Sequence, residues 1–263
     1  MSFSCSTSKE RSLAKRRLLD RHNETIKLLE NGDHSGAMTG LSHIVSAWRN
    51  LVRQDILGDP EAANTVQTTP MTTKSVDPFM TTKTQFLSQS HSTNDCDDES
   101  FYLYETCIRF PCDFDPNYYE SSPVSCVIVF NLALAHQLAA HGKKSDALGV
   151  SPRHLLVRAF HLYDLCFKLS CTSQSLQRSV LYRLAVANNL GLLCLTLRSN
   201  SIAVNYFEYV LTTLMVMTTH GSQGKLMTRH KAALEGFFAN VILRRQSCPC
   251  CVIKNGISFT VYY

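Results

Sequence analysis

The 263 residues contain no Gly-rich phosphate loop, no nucleophile elbow, no paired metal-binding histidines on a helix and no Gly-rich dinucleotide fingerprint. Phosphoryl transfer, serine hydrolysis, metal-assisted hydrolysis and hydride transfer each lack the residues that usually perform them. No catalytic residue, cofactor or metal-ligand set is therefore assigned. Charge is scarce as well: 18% of residues are charged, and the net +5 is not gathered into a run of the kind a nucleic-acid groove needs. The start of the chain lacks the apolar core of a secretory peptide, and Glu10 and Asp20 argue against a mitochondrial presequence. The expectation is an intracellular protein, cytoplasmic or nuclear. The most apolar stretch, 181–197, carries Arg183, Asn188 and Asn189 and is short for a bilayer, so it reads as a buried helix and no membrane partner is expected. The eleven cysteines are an odd number, most of them scattered singly, in a chain far longer than the small disulfide-built class. Reduced thiols are expected.

Helical periodicity is what the sequence has in quantity. From Leu181 to Met217 two apolar helical patterns meet at a polar break, Arg198 to Ser201. Leu181, Leu184, Ala185, Leu192 and Leu195 mark the first, and Ile202, Ala203, Tyr206, Phe207, Val210, Leu211 and Leu214 the second. An earlier hairpin spans 9–54: one helix to Glu30, a stop at Asn31-Gly32-Asp33, then a helix to about Arg53 with Ala37, Leu41, Ile44, Val45, Trp48 and Leu51 facing inward. Lys15, Arg16 and Arg17 are interleaved with acids and read as a solvated face. A middle hairpin pairs 124–141 with a helix opened by Ser151 as N-cap and Pro152 as first helical residue. His154, Arg158, His161 and Asp164 share one face of that helix; the arginine would repel a metal, so this face too reads as solvated. A last helix near 225–244 places Leu226, Ala233, Leu234, Phe237, Phe238 and Val241 on its apolar side, with no evident partner helix.

Between these elements the composition changes. Residues 1–8 are polar, and 55–100 are rich in Ser, Thr and Pro with no sustained period, which predicts disorder in both. Residues 101–122 are aromatic and β-branched, broken by Pro111 and Pro116, and read as an extended arm packed on the helices, with room for one or two short strands. Cys107 and Cys112 in the arm lack the further ligands of a zinc site, as do Cys248, Cys250 and Cys251 in an irregular tail, 245–263. The helical-repeat core is assigned to 123–244.

Aligned on their turns, the hairpins resemble the tetratricopeptide repeat, whose paired helices of about 34 residues stack into a superhelix. Gly191, Ala203 and Phe207 stand at its small, small and aromatic positions eight, twenty and twenty-four; Gly32, Ala37 and Leu41 fall at fifteen, twenty and twenty-four in the first hairpin, and the second fits with Ala133, Ala159 and Tyr163 once its long loop is treated as an insertion. The resemblance covers about 170 residues and lacks the family's tryptophan and terminal proline. It implies an all-α fold of antiparallel hairpins stacked as a TPR-like α-α superhelix, interrupted by a long disordered insertion. It also implies a non-catalytic interaction module, a scaffold or adaptor, that binds a peptide segment or partner protein in a concave helical groove. The alternatives are an RNA-binding helical repeat, disfavoured by apolar, amide-bearing inner helices, and an enzyme with no recognisable motif. The same alignment places an asparagine at one position of each unit: Asn23, Asn131, Asn189 and Asn240. In some peptide-binding relatives that asparagine lines the groove, and an amide suits an extended backbone because it offers donors and an acceptor. These four are the candidate partner-binding residues; a structural bond to a neighbouring helix is the competing reading.

Overall fold

The computed structural model describes residues 8–58, 101–112, 114–116, 121–142, 149–173, 179–219, 228 and 230–246. Among them are seven helices, packed in sequential antiparallel pairs: α1 Ser8–Glu30, α2 His34–Gly58, α3 Ser121–His141, α4 Pro152–Thr172, α5 Val180–Thr196, α6 Asn200–Thr219 and α7 Lys231–Gln246. The chain divides into two compact units. One holds α1 to α4, the arm from Glu105 and the start of α5 to Arg183; the other holds residues 101–104, α5 from Leu184, α6 and α7.

In the first unit α1 packs on α2, α2 on α3 and α3 on α4. The turn between α1 and α2 follows from its sequence. Gly32 takes φ of 79°, which lets Asp33 N donate to Leu28 O at 2.9 Å and Gly32 N to Leu29 O at 3.1 Å, closing the end of α1. Asp33 then caps α2, its Oδ1 accepting from Gly36 N at 2.9 Å. Ala37, Leu41, Ile44 and Trp48 are buried, and the indole donates to Ser125 Oγ at 3.0 Å on α3. Helix α3 is buried on almost every side. By length and composition it could cross a membrane, but 83% of its apolar window is covered within the fold, which accounts for its composition. Phe130 stacks edge-on to Tyr163 and tilts against Tyr182, whose hydroxyl donates to Cys126 O at 3.1 Å.

In the second unit α6 packs against α7. The last helix thus has a partner, which the sequence left unidentified. Gly191 lies against the Phe207 ring, where an added Cβ would sit 2.8 Å from the nearest ring carbon. This is the small-on-aromatic packing that closes the α5–α6 hairpin. The break between these helices is Leu197 to Ser199, one step earlier than the polar run implies, because Ser199 N reaches back to Cys194 O at 2.7 Å.

Several expectations need correction. Helix α2 continues past Arg53 to Gly58, held by Asp55, which pairs with Lys15 at 2.6 Å and Arg11 at 3.5 Å on α1. Residues 245 and 246, assigned to the tail, are helical. Ser151 stands at the N-cap of α4, but its side chain makes no capping bond; its carbonyl accepts from His154 N and Leu155 N instead. Ile202 and Phe238 are exposed at 44% and 49%, so the buried stripes of α6 and α7 are narrower than the apolar pattern. No strand occurs among the described residues, because the arm pairs with helix side chains rather than with another extended segment. The expectations for 1–7, 59–100, 225–227 and 247–263, including Leu226 and the Cys248–Cys251 cluster, lie outside the described residues.

Candidate functional site

An asparagine side chain presents a carbonyl and an amide NH2 side by side, the groups that one residue of a β-ladder presents to its neighbour. Each of the four asparagines singled out from the sequence uses both groups on the backbone of the arm. In the first unit Asn23 on α1 accepts from Phe110 N at 3.0 Å and donates to Phe110 O at 2.8 Å. Asn131 on α3 accepts from Ile108 N at 3.0 Å and donates to Ile108 O at 2.7 Å. In the second unit Asn189 on α5 pairs in the same way with Tyr104, at 3.1 and 3.0 Å, and Asn240 on α7 with Tyr102, at 2.7 and 2.6 Å. The two residues held in each unit are two apart, the spacing at which an extended chain returns a side chain to the same face. Within each unit the earlier helix takes the later arm residue, so the arm runs against the order of the helices.

A third side chain links the two amides of each unit, and it precedes one of the asparagines in sequence. In the first unit Asn131 Nδ2 donates to His22 Nε2 at 3.0 Å, and His22 Nδ1 faces Asn23 Oδ1 at 3.4 Å. Because the amide nitrogen can only donate, Nε2 accepts and the imidazole proton sits on Nδ1. In the second unit Asn240 Nδ2 donates to Asn188 Oδ1 at 2.6 Å, and Asn188 Nδ2 donates to Asn189 Oδ1 at 3.3 Å and to Tyr102 O at 3.1 Å. Both relays point each gripping carbonyl at a backbone N–H. His22, Asn131, Asn188, Asn189 and Asn240 are all buried. Burial holds His22 neutral, its pKa lowered to about 4 with the Arg109 charge adding to the effect, against the opposing bond from Asn23.

Apolar contacts complete the arm's seat. Tyr104, Ile108, Phe110 and Phe114 are buried. Phe110 meets His22 edge-on at 5.0 Å and Phe114 at 5.1 Å, while Tyr102 and Tyr104 both lie against Phe237. Gly236 makes room for Tyr102, since a Cβ there would enter its ring. Charged groups fasten the other end. Arg16 donates to the carbonyls of Cys112 and Phe114, and Arg109 pairs with Glu30, its Nε donating to Oε1 at 3.2 Å. Lys15 and Arg16 therefore do not belong to a solvated face as the charge pattern predicts; of the three basic residues only Arg17 is exposed.

The sequence reading missed His22, Asn188 and Arg16. A polar residue just before the asparagine in two helices, His22-Asn23 and Asn188-Asn189, is the signal that was available. His154, Arg158 and His161 are exposed, and among the described residues no group of three or more His, Cys, Asp or Glu is placed to hold a metal ion. Cys107 and Cys112 are free thiols, and burial pushes Cys107 up to about 12, far from a reactive thiolate. No protein family, curated protein or solved structure matches this chain.

Proposed function

We propose that this protein is a non-catalytic interaction module, built of degenerate tetratricopeptide-like hairpins, that takes a peptide segment of a protein partner on an asparagine pair, Asn23 and Asn131 of α1 and α3 in one unit or Asn189 and Asn240 of α5 and α7 in the other. The observation that carries this reading is the paired amide bond, carbonyl to N–H and NH2 to C=O, made by every one of those asparagines, in each unit to two residues of the extended arm spaced two apart. Such bonds read the main chain and leave side-chain recognition to the pockets beside it, as in other modes of peptide capture. Gly191 against Phe207 and the buried Ala37, Ala159 and Ala203 support the repeat assignment, since they are the close approaches that stacked hairpins of this kind need.

Selection of linear peptides against the full chain tests the reading. Peptides that bind the full chain at about 100 micromolar or tighter are expected, with binding lost in the Asn23→Ala, Asn131→Ala variant while its helical circular dichroism persists. A selection that yields no linear binder, or binders indifferent to these substitutions, would overturn it.

A further inference from the structure

The site just described is filled by the protein's own arm. We infer that arm residues 102–104 in one unit and 108–110 in the other are intramolecular occupants of that unit's partner site, and that the partner is an extended peptide carrying bulky apolar side chains two residues apart, which enters by displacing them. This inference rests on the interaction reading above and adds to it the class of ligand and the means by which access is controlled.

Three observations carry it. The amide pairs contact only main-chain N–H and C=O, so any extended segment can make them. The side chains that accompany them set the selectivity: Tyr102 and Tyr104 against Phe237, with Gly236 making room for Tyr102, in one unit, and the buried Ile108 with Phe110 against His22 in the other. A competitor is thus expected to present an aromatic or branched residue, any residue, then another aromatic. Finally, the contacts that seat the arm run to side chains of the helices, the asparagine amides in both units and Arg16 in the first.

Tethering makes the arm a strong competitor. A segment carried on the same chain as its site acts at an effective concentration of about a millimolar, and an outside peptide is weakened by the ratio of that value to the arm's own dissociation constant. A peptide of similar intrinsic affinity in the micromolar range therefore faces a penalty of about 100-fold or more.

The experiment uses a fluorescent peptide of residues 100–112 with both cysteines replaced by serine. Its binding by anisotropy is compared between the intact chain and the variant Tyr104→Gly, Ile108→Gly, Phe110→Gly. The variant is expected to bind about 100-fold tighter. A folded variant that ignores the peptide, or binds it no better than the intact chain, would overturn the inference. Because the variant could fail to fold, a second chain carries specific protease sites inserted at 95–100 and at 117–120, and is cut after folding. Exchange of the excised arm for labelled peptide, with helicity retained, is the expected result; an arm released only on unfolding is a structural core segment, and the inference fails. The two readings separate cleanly. Selected peptides that bind through the asparagines while the cut arm never exchanges would leave the interaction module standing and remove the arm as its gatekeeper.

Discussion

An amide side chain buried in a protein has four hydrogen-bonding sites to satisfy, and a chain crossing it at right spacing can use three of them. Asn131 spends its carbonyl and one amide hydrogen on Ile108 and its second hydrogen on His22. That last bond requires a bare Nε2, so the grip depends on His22 staying neutral. The unfolded chain takes up this proton near the ordinary value of 6.5, whereas the folded one resists to about 4. Between those values the unfolded state binds more protons, so stability is full above pH 6.5 and falls as pH drops. His136, also buried and lowered to about 4, and His141 act in the same direction. For His22 alone the loss between pH 7 and pH 5 comes to about 2 kcal/mol. The second unit shows that an asparagine can serve as the relay. His22→Asn is therefore expected to fold at neutral pH and to remove that share of the acid loss, as read from urea unfolding at the two pH values. An unchanged difference between them would mean that His22 is not the group that titrates.

Helices and turns were the most legible elements, because each is set by a few adjacent residues. The Asn31-Gly32-Asp33 stop and the inward face of α2 follow from local preference and 3.6-residue spacing. Spacing does not reveal how wide a buried stripe is, which is why Ile202 and Phe238 were placed inside and lie outside. Nor does it say what an extended segment rests on: the arm was recognised as an arm, and its four anchors as asparagines of interest, but nothing in one-dimensional spacing joined Asn23 to Phe110, 87 positions away. The two hairpin turns also differ in a way that yields a prediction. Both close with the same pair of bonds, Asp33 N to Leu28 O and Gly32 N to Leu29 O in one, Ser199 N to Cys194 O and Arg198 N to Leu195 O in the other. The left-handed position is Gly32 in the first and Arg198, at φ of 62°, in the second. A side chain there costs roughly 1–2 kcal/mol, partly offset by the greater freedom of glycine in the unfolded chain. Arg198, exposed at the turn, makes no side-chain hydrogen bond among the described residues that would compensate. Arg198→Gly is expected to stabilise the protein by up to about 1 kcal/mol in thermal or urea unfolding. Destabilisation would show that the guanidinium does more than the backbone geometry implies.

At the scale of the whole molecule, the arm is one continuous stretch while its anchors divide by unit. Asn23, His22 and Asn131 form one connected set with Ile108 and Phe110; Asn189, Asn188 and Asn240 form another with Tyr102 and Tyr104. Removing Asn131 takes its partner from a buried N–H and a buried carbonyl of Ile108, at roughly 1–3 kcal/mol each. That cost should appear first where it arises. In Asn131→Ala, hydrogen exchange is expected to quicken at Ile108 N–H, which loses its acceptor, and at Phe110 N–H, whose anchor loses its relay. Tyr102 and Tyr104 should exchange as in the unchanged chain, and Asn240→Ala should give the reverse pattern. Exchange reports local opening of this kind because segments open with their own free energies, below that of global unfolding. If either substitution instead deprotected all four N–H groups equally, the assignment of each N–H to its own asparagine as a separate anchor would fail.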